Sequence, residues 1–250
     1  MTLAAAIPRF LVVSGLALAA PLYLTAQLMT HLSPESDRAF DGYIKAAEGK
    51  LDWRAHIPLD SASVRIVPGG PKPTVDLPGA IIHDWAAAVV VPGATVEKAL
   101  AILESYDDYK RLYAPQVTDS KLYSHQGNHW QIYLKLYKRA IFPAIFDTEY
   151  DVEYRSLDHG RWAVLSHSTK VAEVDGGRVL PVGTGHGYLW RLNAYWVLEQ
   201  RPEGVYLECR AISMSRDVPV GLGWAIKPMI TTVPRQSLQE TLEATVRALR

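Results

Sequence analysis

The sequence has little cysteine and no excess of charge of either sign. Cys209 is the only cysteine among 250 residues, which excludes an intrachain disulfide and a cysteine-rich metal cluster. Lysine and arginine together number 26, as do aspartate and glutamate, so the charge balance does not favour nucleic acid or an anionic membrane surface as a partner. Low-complexity runs and internal repeats are also absent, which excludes a solenoid or another repeat architecture.

What is present is an ordinary globular composition, with 48% hydrophobic and 21% charged residues. A chain of 250 residues can bury a substantial core in one large domain, or in one domain with a small appendage. The single cysteine suits an oxidising compartment if it is buried, and its position in the middle of a predicted strand favours burial.

The one long hydrophobic run lies at the N-terminus. Residues 10–26 carry no charge and follow Arg9, which is the layout of a secretory signal peptide. Cleavage after Ala26 would place Leu24, larger than the usual small residue, three positions before the cut. Residues 7–29 are also long enough to cross a bilayer. The sequence therefore predicts a signal peptide over 1–26 and a periplasmic or secreted protein, or alternatively an N-terminal anchor over 7–29 in the inner membrane. A buried soluble helix is the remaining alternative.

Residues 34–80 are predicted to form an arm that packs on the main domain. Apolar residues recur at helical spacing over 36–51, and Ser36 or Asp37 can cap the start of that helix. The stretch 58–78 is rich in proline and glycine and breaks regular structure, with room for a short edge strand at 63–67.

Residues 81–250 alternate in the way expected of a long antiparallel sheet that ends in a helix. An apolar strand at 86–91 precedes a helix at 95–104, for which Thr95 is the expected N-cap. A short aromatic helix is predicted at 107–113, and an amphipathic helix begins near Pro234 and runs to the C-terminus. Period-two alternation predicts the strands between them, which are 116–124, 129–137, 147–154, 161–174, 187–200 and 205–215.

Three segments carry a family resemblance. Residues 89–100 match an opening strand and helix, and residues 106–117 match a run of spaced aromatics that ends in Pro-x-Val. With the tail from 207 to 242, this order resembles the START-like superfamily, which includes the polyketide cyclase/dehydrase family and the coenzyme Q-binding proteins. The tail also resembles an exported bacterial branch of unknown function. The resemblance implies an α+β helix-grip fold over 81–250, in which a curved antiparallel sheet wraps around a long C-terminal helix.

The same resemblance implies a cavity between sheet and helix, and seven residues are candidates for its lining. Arg191 and Asn193 share one face of a strand, where they would orient a ligand if that face is concave and would be solvated if it is convex. The remaining candidates are aromatic or polar strand residues and apolar residues of the final helix: Tyr133, His167, Trp190, Leu238 and Leu242.

Other patterns that suggest chemistry have ordinary structural explanations. His125 and His129 flank a predicted hairpin turn, so a metal site is not expected there. Ser166 and His167 are strand neighbours that point to opposite faces, and no Gly-x-Ser-x-Gly motif is present. The glycine-rich loop at 176–187 joins two strands, so no helix N-terminus follows it to bind phosphate. The sequence therefore predicts no catalytic residue, no metal and no cofactor.

The leading hypothesis is an exported protein that binds a hydrophobic small molecule or lipid. A polyketide-cyclase-like enzyme is the first alternative, for which His167 with Tyr133 or Glu149 is the best acid/base pair that the sequence offers. An envelope interaction module without a ligand is the second. In the binding hypothesis, residues 219–223 with Met229 and Ile230 are expected to form a movable entrance.

Overall fold

The computed structural model describes residues 29–51, 56–59, 63–139, 143–158, 160–218 and 232–250. The predicted signal or anchor segment, apart from Met29, and the predicted entrance segment lie outside these residues. Among the residues that are described, no helix is both long and apolar enough to cross a membrane.

A ten-stranded antiparallel sheet forms the centre of the molecule. Its long strands are β4 (Ala80–Pro92), β5 (Val117–Gln126), β6 (His129–Arg139), β7 (Pro143–Ser156), β8 (Arg161–Asp175), β11 (Arg191–Arg201) and β12 (Gly204–Arg216). Its short strands are β2 (Arg65–Pro68), β3 (Thr74–Leu77) and β9 (Arg178–Val179), while β1 (Thr30–His31) and β10 (Thr184–Gly185) form a separate small sheet. The strand order in the large sheet is β2-β4-β12-β11-β8-β7-β6-β5, with β3 paired to β4 and β9 paired to β8.

The described helices lie on both sides of this sheet. The helix α1 (Pro34–Glu48) packs against one face, and α4 (Val233–Leu249) packs against the other. The helices α2 (Val96–Glu104) and α3 (Tyr109–Leu112), with a 3-10 turn at Tyr106–Asp108 between them, connect β4 to β5 and cover one end of the α4 side. We call the face toward α4 the inner face and the opposite face the outer face.

Period-two alternation decides which side chains reach which face. In β7, Thr148, Tyr150, Val152 and Tyr154 are buried, whereas the acidic residues between them are at least partly exposed. This confirms the predicted packed and wet faces of that strand. Leu238, Leu242, Thr245 and Leu249 are buried along α4, as its apolar periodicity predicts.

Helix α2 begins as predicted, and α1 does not. The Thr95 hydroxyl accepts a hydrogen bond from the Lys98 amide at 3.3 Å. The N-cap of α1 is Ser33 rather than Ser36 or Asp37, and its hydroxyl accepts from the Ser36 amide at 3.0 Å. Pro34, which has no amide hydrogen to satisfy, fits the first helical position, so the helix starts earlier than predicted.

Residues of the predicted arm form part of the main sheet as well as packing on it. Strands β2 and β3 both pair with β4 and so extend the main sheet, while α1 covers the outer face. Gly69, just after β2, lies so close to the edge of β4 that a Cβ atom there would overlap Asp84 Oδ1. The division into an arm and a main domain stays a prediction.

Candidate functional site

A cavity of about 250 Å³ lies between the inner face of the sheet and α4. For comparison, an apolar cavity of roughly 150 Å³ in an engineered protein is enough to bind benzene. The walls come from the inner-face side chains of β6, β7, β8, β11 and β12, from α2 and α3, and from the first turns of α4. These side chains are mostly aliphatic or aromatic, and they include Leu103, Ile132, Leu134, Leu136, Phe146, Tyr150, Val152, Tyr154, Val164, Leu192, Ala194, Trp196, Ala211, Val233 and Leu238.

One end of the cavity, beneath α2 and α3, is closed by tyrosines whose hydroxyl groups are all hydrogen-bonded. Tyr154 donates to the Leu103 carbonyl at 2.8 Å and lies 2.7 Å from the Tyr106 hydroxyl. Tyr109 donates to the same carbonyl at 2.7 Å, and Tyr113 bonds to Thr245 at 3.1 Å. Burial raises the pKa of each of these tyrosines above its usual value, so all remain neutral. A ligand therefore contacts an uncharged surface at this end of the cavity, and the tyrosine hydroxyl groups of that surface are already hydrogen-bonded within the protein.

Lys138 lines another wall, near the start of α4, and forms an ion pair with Glu240, which is not itself among the lining residues. Their charged atoms are 3.2 Å apart, and the Gln116 and Gln236 amides each donate to Glu240 at 2.9 Å. Burial lowers the pKa of Lys138. Burial opposes the charge of Glu240 as well, but Lys138 and the amides outweigh it and lower the pKa of this carboxyl. The pair as a whole adds no net charge to the cavity.

Polar side chains interrupt the apolar floor at a few positions. His83 of β4 lies almost fully buried at the cavity wall, and its Nε2 is 3.0 Å from the Ser215 hydroxyl. Burial lowers the pKa of His83 to about 4, so the ring is neutral at pH 7. Ser213 and Ser166 also line the cavity. Tyr150 is in electrostatic contact with Thr148, but within the described residues its hydroxyl has no hydrogen-bond partner of normal geometry.

Of the seven residues proposed from the sequence, Leu238 is the one that the structure places in the cavity wall. Leu242 is fully buried one turn further along α4, in the core beneath the helix rather than at the cavity. The other five lie away from the cavity.

Arg191 and Asn193 share a face, as their spacing predicts, and this face is the outer one. The Arg191 guanidinium donates to Asp37 at 2.6 Å and to Asp41 at 2.9 Å, both in α1. The Asn193 side chain accepts from the Ser168 amide at 3.2 Å. Both side chains therefore serve the packing of the arm and the sheet. The neighbouring positions in β11, such as Leu192 and Ala194, face the cavity instead.

Tyr133, His167 and Trp190 also lie outside the cavity. His167 bonds to Glu48 of α1 at 2.6 Å, and Trp190 packs in the apolar core beneath the same helix. Tyr133 donates to Asp147 at 2.8 Å on the outer side of β6 and β7. The sequence could not show which face of the sheet the arm would cover, so the residues of the covered outer face looked like cavity residues.

Sequence reasoning missed His83, Ser213 and the Lys138–Glu240 pair. His83 had a usable signal, because it falls in the same alternation as Ala87, Val89 and Val91, which pack in the core on the inner face. The predicted strand began at 86 and stopped short of it. No group of three metal-ligating side chains occurs in the part of the chain that the structure describes.

Comparisons with known proteins bear on the fold. The sequence matches no protein-family model and no curated protein. Among solved structures, a STAR-related lipid transfer protein from Xanthomonas axonopodis is similar over 72% of this chain and 99% of its own, with a TM-score of 0.51 and 18% identity. The lipid transfer and protein localization domain of human StarD13 aligns over 88% of this chain and 99% of its own, with a TM-score of 0.49 and 12% identity.

An enzyme is found among the similar structures as well. The Zhui aromatase/cyclase from Streptomyces aligns over 67% of this chain and 93% of its own, with a TM-score of 0.44 and 13% identity. At sequence identities this low, structural similarity shows a shared fold but does not show a shared activity. The sheet order, the long C-terminal helix on the inner face and the bacterial lipid transfer protein together show that this chain has the START-like helix-grip fold, as its sequence resemblance predicts.

Proposed function

We propose that this protein binds a hydrophobic small molecule or lipid in the cavity between the sheet and α4. The observation that carries the proposal is the cavity itself, which the fold leaves open and lines mostly with aliphatic and aromatic side chains. Burying apolar ligand surface there contributes about 25 cal/mol per Å², before the cost of association is subtracted. The similar structures that are named as lipid transfer proteins support the same kind of ligand.

The alternatives have less support. An enzyme of the cyclase type needs an acid/base pair inside the cavity, and His167, Tyr133 and Glu149 lie on the outer face or at its edge. No carboxylate is among the described side chains that line the cavity. An interaction module without a ligand has no use for an open cavity, and a filled core would have suited it better.

Native mass spectrometry of the full chain, followed by organic extraction, tests the binding proposal. We expect a stoichiometric hydrophobic molecule to copurify, or naphthalene to bind in a calorimetric titration when the cavity is empty. In Ala211→Phe the new ring fills the cavity, and we expect the affinity to fall at least tenfold. Val179→Phe is the matched control, because Val179 is half exposed on β9 and the substitution should leave binding unchanged.

Two results would overturn the proposal. One is a protein that copurifies with nothing and binds no naphthalene. The other is an Ala211→Phe protein that remains folded and binds naphthalene as tightly as the wild type does.

Export forms a separate part of the proposal and rests on the sequence of residues 1–29. A periplasmic or secreted protein would have lost residues 1–26, whereas an anchored protein would keep them and associate with the membrane through residues 7–29. Intact-mass measurement of the protein recovered from soluble and membrane fractions distinguishes these cases. A full-length protein in the soluble cytoplasmic fraction would contradict both.

A further inference from the structure

Two cavity-lining residues, His83 and Tyr150, each carry a buried polar atom that has no hydrogen-bond partner among the described residues. His83 lines the cavity and is 1% exposed, and no hydrogen bond to its Nδ1 is found among the described residues. Leaving a buried hydrogen-bonding atom unpaired destabilises the folded protein, because the atom has lost its bond to water. Such atoms are rare in folded proteins, and each one calls for an explanation.

The hydrogen bonds of Ser215 assign the protonation of the ring. The Ser215 hydroxyl donates to the Arg216 carbonyl at 3.2 Å, and this uses its single hydrogen. Its oxygen is then free to accept from His83 Nε2, 3.0 Å away. A neutral imidazole with its hydrogen on Nε2 carries a lone pair on Nδ1. The unpaired atom is therefore an acceptor, and it needs a donor.

The polar character of the wall extends to the next strand. His83 pairs directly with Ser213 in the register of β4 and β12, so their side chains lie side by side on the inner face. Ser213 also lines the cavity, and its hydroxyl makes no hydrogen bond with another described residue. We call these two residues the His83 patch.

Several other polar groups of the cavity wall are already hydrogen-bonded or ion-paired within the protein. The tyrosines at the closed end bond to one another, to the Leu103 carbonyl and to Thr245. Lys138, the one cationic side chain among the described residues of the lining, is paired with Glu240. The Tyr150 hydroxyl is also unpaired among the described residues, but it can donate or accept, whereas only a donor can satisfy His83 Nδ1.

We propose that a hydroxyl group of the bound molecule donates a hydrogen bond to His83 Nδ1, with Ser213 beside it, and that the ligand is an uncharged hydrophobic alcohol or phenol. This inference rests on the proposed function, since it concerns the same cavity. A carboxylate has no hydrogen to donate to this nitrogen, and its charge would be buried without a free cation. A plain hydrocarbon would leave Nδ1 unpaired.

Three probes of one shape test this inference, namely naphthalene, naphthol and naphthoate. For the wild type we expect naphthol to bind about tenfold more tightly than naphthalene, since one hydrogen bond contributes about 1.4 kcal/mol, and naphthoate to bind most weakly. In His83→Leu the preference for naphthol should disappear while the affinity for naphthalene is kept. His129→Leu, at an exposed position of the hairpin between β5 and β6, is the control and should keep the preference.

A measurement on the wild-type protein alone tests the inference even if the His83→Leu protein does not fold. In the ¹⁵N NMR spectrum of the ligand-free protein, His83 should show a protonated Nε2 and an unprotonated Nδ1. Addition of naphthol, but not of naphthalene, should shift the Nδ1 resonance. The inference is overturned if naphthol and naphthalene bind equally, if naphthoate binds best, or if Nδ1 carries the hydrogen. If the protein copurifies with nothing and none of the three probes binds, the proposed function fails instead, so the two failures are distinguishable.

Discussion

The two faces of the sheet are built from the same strands but are packed in different ways. On the outer face, α1 lies over a closely packed core that includes Phe40, Ile82 and Ile212, all with no exposed surface. Arg191, Arg210 and His167 on that face each bond to a carboxylate. On the inner face, α4 leaves a cavity of about 250 Å³, and one buried histidine nitrogen at its wall is unpaired within the described residues.

On the outer face, an ion pair within the sheet also bonds to the arm through a tyrosine. Arg210 makes two hydrogen bonds to Asp84, at 2.8 and 2.6 Å, and Tyr43 of α1 donates to the same carboxylate at 2.7 Å. Burial and the neighbouring Asp84 raise the pKa of Tyr43 to about 12, so it stays a donor. Because side chains alternate along a strand, one strand can pack a closed core on one side and line a cavity on the other.

Removing Asp84 should produce the largest effect on the outer face. Asp84→Ala leaves Arg210, only 16% exposed, without its carboxylate, and an unpaired buried charge of this kind costs about 3–5 kcal/mol. We expect this loss in the free energy of unfolding measured with urea. Asp151→Ala, at an exposed position of β7, is the control and should change it by less than about 0.5 kcal/mol. Equal stability of the two variants would contradict a stabilising role for the outer-face pair.

Acid should act on the inner face through His83. Its pKa is about 4 in the folded protein and 6.5 as a free side chain, so the unfolded chain binds the extra proton first as the pH falls. The free energy of unfolding therefore decreases as the pH falls from 6.5 to 4, and the protonation of His83 accounts for about 3 kcal/mol of this decrease. The measurement is the free energy of unfolding against pH for the wild type and for His83→Leu. Parallel curves between pH 6.5 and 4 would show that His83 is not buried in its neutral form.

Enlarging one alanine on each face compares the packing directly. Ala163 has no exposed surface within the outer core, so Ala163→Leu should cost about 1–3 kcal/mol through overpacking. Ala211 lines the cavity, and Ala211→Leu should cost less than about 1 kcal/mol because the added atoms enter empty space. Thermal unfolding of both variants measures this difference. The comparison would fail if Ala211→Leu were the more damaging substitution.

Arg191→Ala should give the smallest effect. The ion pairs of Arg191 with Asp37 and Asp41 are partly exposed, and exposed pairs contribute about 0.5–1 kcal/mol. Because the side chain lies on the outer face, we expect the affinity for naphthol to remain that of the wild type. Chemical unfolding and calorimetric titration test the two expectations. A tenfold loss of affinity in a stable Arg191→Ala protein would restore Arg191 as a binding residue.

Much of the fold could be predicted from the sequence, because the alternation of apolar residues is a local property. The packed and wet sides of β7, the Thr95 cap and the apolar stripe of α4 all follow from neighbouring residues. The START-like resemblance added the relation between the sheet and the last helix, and the structure confirms it.

The candidate site was harder to predict, because its residues depend on which face each helix covers. Arg191, Asn193 and His167 looked like cavity residues, yet α1 covers their face and supplies Asp37 and Glu48 as partners. Those partners are some 120–150 residues away along the chain. His83 was missed because the predicted strand stopped three residues short of it.

Hydrophobic periodicity is encoded in adjacent residues, so the amino-acid sequence alone is enough to locate most of the strands and helices and the alternation within each strand, although not every end of them. Which side of that alternation became the closely packed outer face and which became the cavity depends on the folded arrangement. This choice depends on long-range packing of α1 and α4 against opposite faces, and no local pattern specifies it. For the same reason, the neutral state of His83 and its unpaired nitrogen became visible only once the chain had folded around them.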